Sequence, residues 1–490
     1  MTRLSQATLG GLPGDVLRPT YDRDAVKVGV VHLGIGAFHR AHQAAMFDDV
    51  LSAGDLRWGI VAASLRSPAV RDQMAPQDGL YTMLVRDGQQ QTARIMGAVQ
   101  KVLIAPEAPA ELLAVMAAPD TQIVTLTITE KGYKLDPASG ALIEDDPQLA
   151  ADMLSLETPR TALGYIVAAL AMRRSAGLKP FTAISCDNLP HNGARLRGGV
   201  LALARHHDPD LAVWIEAYGA FPETMVDRIV PATTPQDVAD LAQRLGVEDH
   251  AMVKTEPFTQ WVIEDHFCGP RPAFGAGVQL TAAVAPWEEA KLRLLNGAHS
   301  GIAYLGGLAG LAHVHEVLQR PEARAFVEQL WDEAQTTLSP PPELDIAAYR
   351  KALMARFDNS TLMHRTHQIA MDGSQKLPQR LLAPIMARLA AGQGIEALSL
   401  PVAGWIRWQA GRDDTGETFA IDDPLAGVMA QRLAGAADAE ARVDAVLGLE
   451  AVVPPALQDH TQFRAALIRW LTILETQGAL VALALCKDVS

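Results

Sequence analysis

The sequence predicts an α/β N-terminal domain with a mainly parallel sheet, followed by an all-α C-terminal domain. Three observations predict it. Short apolar, β-rich runs alternate with helical stretches through the first half, a Gly-x-Gly turn joins the first run to a helix, and strand candidates fade after about Ala285. Val28–Leu33 is apolar apart from His32 and passes through Gly34–Ile35–Gly36 into a helical pattern from Phe38 to about Leu51. Trp58–Ala63, Ile123–Ile128 and Phe181–Ile184 repeat the apolar run, with Ala162–Arg174 and Ala194–His206 reading as helices between or after them. Strands separated by helices imply βαβ units. In the second half, Trp287–Leu308, Ile346–Phe357, Leu377–Ala391 and Phe463–Leu485 show helical periodicity, and Ser339–Pro342 reads as a loop inside one domain. The expected division is therefore 1–285 and 286–490.

Composition bounds the function. The chain has 490 residues, 49% of them apolar and 20% charged, which is enough to bury large cores without disulfide or metal staples. Its 42 Lys and Arg against 56 Asp and Glu give a net charge of −14, which argues against nucleic acid or an anionic membrane as partner and favours a small molecule. An anionic ligand would need a local group of cations. The three cysteines, Cys186, Cys268 and Cys486, are odd in number and far apart, and Met1–Pro19 lacks the pattern of a secretory signal, so a cytoplasmic home is expected. The longest nearly apolar stretches, Leu163–Met172 and Gly301–Ala312, are too short to cross a bilayer. Assembly is open between a monomer and a small homo-oligomer.

Three constellations carry chemistry. Gly34 and Gly36, directly after a strand and opening a helix, suit a turn whose backbone approaches a pyrophosphate at a helix N-terminus. His39 stands where the third glycine of G-x-G-x-x-G is usual, and a plain glycine turn explains the same residues. No acidic residue lies between Ile60 and Ala69 to hold an adenosine ribose; Arg66 is there instead, which leaves room for a 2′-phosphate. The second constellation is Lys291, Asn296 and His299. At about 100° per residue they share an apolar arc with leucines. A lysine so placed is expected to lose basicity by desolvation, as a general acid/base near neutral pH requires, although a snorkelling lysine beside satisfied core residues fits the spacing too. The third is Ser185-Cys186-Asp187-Asn188 after its strand, with Thr129-Glu130-Lys131-Gly132-Tyr133 after another, either ligand-facing loops or capping turns. His39 and His42 make a poor metal pair without a carboxylate or thiolate cluster, and no motif pairs Cys186 with a base.

In chain order, these pieces resemble one family, the polyol-specific long-chain dehydrogenases. The matching runs are His32-Leu-Gly-Ile-Gly-Ala-Phe-His-Arg-Ala-His42, Thr129–Tyr133, Ser185–Asn188, Met225-Val-Asp-Arg-Ile-Val-Pro231, Glu256-Pro-Phe-Thr-Gln-Trp-Val262 and Lys291–His299, spanning nearly the whole chain. The resemblance implies a Rossmann-type N-terminal domain that binds NAD through Gly34, Ile35, Gly36, Ala37, Phe38 and His39, with Arg66 near the adenosine and Asp227 shaping the nicotinamide site. It implies a helical substrate domain, substrate between the two, and no metal. Lys291 would be the general acid/base, Asn188 and Asn296 hydrogen-bond donors to the reacting oxygen, His299 an orienting group and Glu130 a proton relay.

Two departures sharpen this. Gln368 stands eight residues before Lys376, where a mannitol dehydrogenase is expected to carry Arg, and Met371-Asp-Gly-Ser-Gln-Lys-Leu-Pro-Gln-Arg380 is closer to the fructuronate reductases of the family. A uronate carboxylate would then meet Lys376 with Arg365 or Arg380. Pro68-Ala69 stands where an acidic pair favours NAD, which keeps NADP open. The expectation is interconversion of D-fructuronate and D-mannonate; the alternatives are a polyol 2-dehydrogenase and a nucleotide-binding sensor without catalysis.

Overall fold

Eleven strands in the first half sort into one large parallel sheet and two small ones. A computed structural model describes residues 1–486. In chain order the strands are β1 (Val28–Leu33), β2 (Gly59–Ser64), β3 (Tyr81–Asp87), β4 (Gln90–Met96), β5 (Val99–Ile104), β6 (Ile123–Leu126), β7 (Thr182–Ser185), β8 (Thr224–Asp227), β9 (Val253–Thr255), β10 (Gln260–Glu264) and β11 (Val278–Thr281). The main sheet has the order β5-β2-β1-β6-β7 with every pair parallel, the Rossmann arrangement, whose order reverses between β1 and β6. Four of its strands read as apolar runs because helices cover both faces, whereas the edge strand β5 carries Gln100 and an exposed Lys101 and does not show as such a run. One core contains Leu163, Ile166 and Leu170 of the helix Ala162–Ser175 and Leu196 and Val200 of Asn192–His207; the other contains Phe47, Val50 and Leu51 of Gln43–Ser52.

The pattern of the sequence misses three further features of this half. The hairpin β3–β4 is masked by the polar start of β4, Gln90-Gln91-Thr92, although Gly88-Gln89 between the strands is a two-residue turn led by glycine. Strands β8 to β11 are too short to show a period. The helix expected from Phe38 to Leu51 is two helices, Ala37–Ala41 and Gln43–Ser52. They break at His42, whose backbone leaves the helical region while its ring Nε2 meets the Gln260 carbonyl at 2.9 Å.

Contacts divide the chain into a unit from Met1 to Val284 and a second from Ala285 onward. Among the described residues the second unit has no strand. Its centre is the helix Gly297–Leu308, buried on every side, as its small and apolar residues permit. Ile346–Phe357 forms as its periodicity predicts. Phe463–Leu485 instead divides into Thr461–Thr476 and Ala479–Cys486 at Gly478, whose φ of 85 ends the first helix. Two stretches that read as plain α-helix contain π-helical turns, Lys291–Asn296 and Pro378–Leu382. In each, a backbone N–H reaches five residues back, Gly297 to Leu292 and Ala383 to Pro378. No helix of the described residues is long and apolar enough to cross a membrane.

Candidate active site

In the first unit the candidate groups sit at the carboxyl ends of β1, β6 and β7, at the edge where open α/β sheets bind ligands. Gly34 has φ 99, and a Cβ there would collide with the Thr127 carbonyl oxygen just beyond β6. Only glycine lets the turn lie against β6. At Gly36 an added Cβ would meet nothing nearer than the Gly34 carbonyl at 3.9 Å, so the outer face of the turn is open to close approach. The residues thus fit the pyrophosphate of a dinucleotide.

Behind the turn, the rings of His32 and His39 stack at 3.4 Å, both fully buried. His32 meets Thr125 Oγ1 at 2.8 Å and Thr127 Oγ1 at 3.0 Å, and Thr127 donates to the Gly34 carbonyl at 2.8 Å. Burial drives the His32 imidazole down to about 3 and that of His39 well below its usual value, so both are neutral. His39 therefore props the turn from inside and presents no face to a ligand. Ile35 likewise packs into the core, whereas Ala37 and Phe38 are half-buried, Phe38 stacking on His42. Arg66 is exposed just past β2. Asp227 ends β8 and is buried opposite Gln260 of β10.

The segment after β6 is strained. Thr129 has φ 64 and ψ 164, a region that essentially only glycine occupies and that costs a β-branched residue about 1–3 kcal/mol. Asp187 holds it there: its carboxylate accepts from the N–H of Ile128 at 3.0 Å, the N–H of Thr129 at 2.9 Å and the Tyr133 hydroxyl at 2.7 Å. Burial pushes the Asp187 carboxyl up and these donors oppose it. Glu130 begins the short Glu130–Tyr133 turn and is exposed, as is Asn188. Burial pushes the Cys186 thiol well up, which suits a core residue and not a nucleophile.

In the second unit, Lys291 opens one π turn, and only 7% of it is exposed. The extra residue of that turn shifts Asn296 and His299 off the arc computed for a uniform helix. Trp331 Nε1 donates to the Leu294 carbonyl inside the turn at 2.8 Å. Gly297 follows, and an added Cβ would sit 3.2 Å from the Arg380 carbonyl, so the two π turns meet where there is no side chain. His299 is buried against Phe357 and His364, with ring centroids at 4.7 and 5.2 Å. Burial, and then His364, Arg356 and Arg380, hold its imidazole well below the usual value.

Arg380 donates from Nη1 to Ser300 Oγ at 3.2 Å, and among the described residues it has no carboxylate partner. Burial lowers its guanidinium to about 10. Lys376, one turn earlier, donates to the Met371 carbonyl at 2.6 Å and lies 3.5 Å from Asp372; burial and Arg380 lower it. The structure thus gathers His299, Ser300, Arg380 and Lys376 in one neighbourhood. Arg365 and Gln368 are exposed and line a cavity of about 710 Å³ with Trp408, Asp413 and Asp422, whose walls include neither His299 nor Arg380. Sequence reasoning missed Ser300, Arg356 and His364, which only the packing around His299 brings together. Among the described residues, no group of three or more His, Cys, Asp or Glu side chains is placed to share a metal ion.

The parallel sheet, its reversal between β1 and β6 and the glycine turn at that point define a dinucleotide-binding fold of the Rossmann type, here joined to a helical unit. Residues 28–275 match the mannitol dehydrogenase Rossmann domain and residues 283–473 the mannitol dehydrogenase C-terminal domain. The chain belongs to the mannitol dehydrogenase family and is an oxidoreductase acting on CH–OH groups. It is 42% identical to D-mannonate oxidoreductase of Escherichia coli (strain K12) over 471 residues, 95% of this chain and 96% of that protein. It is 40% identical to mannitol 2-dehydrogenase of Pyrenophora tritici-repentis over 487 residues, 98% of this chain and 85% of that one. Pseudomonas fluorescens mannitol 2-dehydrogenase, in a ternary complex with NAD and D-mannitol, superposes with a TM-score of 0.81 and 35% identity over the whole of both chains.

Proposed function

We propose that the chain is an NAD-dependent fructuronate reductase that interconverts D-fructuronate and D-mannonate without a metal ion. The observation that carries this reading is Arg380, a largely buried guanidinium with no carboxylate partner among the described residues, beside Ser300 and His299. A buried cation without an ion-pair contact is costly unless a ligand supplies the anion, and a uronate brings one carboxylate that a polyol lacks. The D-mannonate oxidoreductase relative supports the substrate class, and the NAD complex of the Pseudomonas structure supports the cofactor.

Gly34 and Gly36 offer backbone to the pyrophosphate, with Ala37 and Phe38 at the helix that follows. Bound there, the nicotinamide supplies or accepts the hydride. In the reducing direction Lys291 gives its proton to the carbonyl oxygen of the substrate, and in oxidation it takes the hydroxyl proton. Asn188 and Asn296 donate hydrogen bonds to that oxygen, which gains negative charge in the transition state. His299, neutral in its buried setting, orients substrate hydroxyls, Arg380 with Lys376 holds the carboxylate, and Glu130 passes protons to solvent.

The test is turnover of NADH and NADPH with fructuronate, tagaturonate and fructose. Fructuronate with NADH is expected to be fastest. In Arg380→Met, kcat/KM for fructuronate should fall about 10- to 100-fold, the size of a lost charged hydrogen bond, while any fructose turnover is unchanged. Faster turnover of fructose would make the chain a polyol 2-dehydrogenase, as its likeness to mannitol dehydrogenases allows, and no turnover of any of the three sugars would overturn the fructuronate reading.

A further inference from the structure

The loop after β6 and the turn after β7 are fastened to each other by one side chain that has no role in the scheme above. Asp187 adjoins Asn188 and reaches across the sheet edge to the backbone N–H groups of Ile128 and Thr129 and to the Tyr133 hydroxyl. Tyr133 also meets Ser185 Oγ at 2.5 Å, so the end of β7 grips it twice. The Asp187 carbonyl is held in turn by Asn192 Nδ2 at 3.0 Å, and the same amide nitrogen donates to the Thr224 carbonyl on β8 at 2.9 Å. Asn188 therefore hangs from a residue tied on one side to the segment that bears Glu130 and on the other to β8. The strained backbone of Thr129 lies directly under this grip, two residues past Thr127, which contacts the Gly34 turn.

We propose that Asp187, with Tyr133, is a positioning residue that holds Thr129 in its glycine-like conformation and so aligns Glu130 and Asn188 with the cofactor turn. This rests on the reading that Asn188 donates to the reacting oxygen. Asp187 touches no reacting atom; it sets the geometry of groups that do. A structural tie alone would contribute to folding without regard to the backbone angle of Thr129, whereas a positioning role depends on that angle. Glycine at 129 occupies the region without strain, so it should lessen the need for the grip.

The experiment uses the full chain and the variants Asp187→Asn, Tyr133→Phe and Asp187→Asn with Thr129→Gly. Asp187→Asn replaces one acceptor oxygen by a donor facing N–H or O–H groups. With whichever sugar the wild type turns over, it should lower kcat about 10- to 100-fold and leave the KM for NADH within about twofold. Tyr133→Phe should lower kcat about fivefold. Adding Thr129→Gly to Asp187→Asn should recover at least about fivefold of the loss. Amide hydrogen exchange of residues 127–131 needs no substrate: Asp187→Asn should lose protection there. Unchanged kcat with a lower melting temperature, no recovery by Thr129→Gly, or unchanged exchange would each overturn the proposal. If no sugar is turned over, the substrate reading fails by itself and the exchange measurement still decides this one.

Discussion

The two units prepare their groups for chemistry by opposite means. In the first, the chain stops being regular: strands end, and the turn at Gly34–Gly36, the strained Thr129 and the Ser185–Asn188 turn present backbone and short side chains at the sheet edge. In the second, the chain stays helical and the groups project from helix interiors, with two π turns supplying the irregularity. Loops at strand ends can meet a large, extended ligand with many N–H groups. A helix interior suits a few side chains that must be kept from water, as Lys291 and His299 are. The difference matches the proposed division of labour between holding a dinucleotide and moving a proton.

That division can be broken from either side. The largest effect is expected from Lys291→Ala, which should lower hydride transfer about 10³-fold, within the range for loss of a general acid/base, while NADH affinity measured by fluorescence stays within a few-fold. Activity that survives would remove the proton from the helical unit. Gly34→Ala should do the reverse. Its Cβ collides with the Thr127 carbonyl and its φ is unfavourable, together roughly 2–4 kcal/mol, so NADH binding should weaken about 100-fold while the pH profile of the residual kcat keeps its shape. A normal dissociation constant would mean that the turn does not hold the cofactor.

The smallest effect tests what the units share. Each holds a pair of histidines neutral through burial: His32, down to about 3, with His39, and His299 with the partly buried His364, down to about 4. The unfolded chain protonates these imidazoles as the pH falls below about 6.5, and the folded chain does not. Their contribution to stability is therefore complete above that pH and is lost as the pH falls toward the folded values, at most about 2 kcal/mol per histidine at pH 5. Thermal unfolding followed from pH 7.5 to 5 should show both units weakening together. A melting temperature independent of pH would show that these rings take up protons when folded.

How far the sequence discloses this depends on whether the cause is local. Gly34 and Gly36 are legible because a glycine requirement belongs to one turn, and four strands of the main sheet are legible because burial on both faces leaves apolar runs, while the edge strand β5 is hidden by Gln100 and Lys101. The π turns are hidden, since a periodicity of about 3.6 residues is assumed in reading any helix, and the added residue at Lys291–Asn296 leaves no mark in composition. Arg365 and Arg380 look alike along the chain; only packing puts one beside His299 and the other on the wall of an exposed cavity. Asp187 reads as a turn residue because an aspartate that caps its own turn and one that grips a neighbouring strand end have the same neighbours in sequence.

The meeting of the two π turns also bears on which lengths of chain the protein tolerates. A loop takes up an inserted or lost residue by bulging or tightening. Between Lys291 and Asn296 the extra residue lies inside a helix, and the Gly297 backbone is already seated against Arg380. Losing one residue there would restore an ordinary helix with little net rotation of the parts before and after it, because the π turn takes up its extra residue within itself. A relative one residue shorter between these positions should therefore carry a plain helix here and still present its lysine and histidine in the same relative orientation.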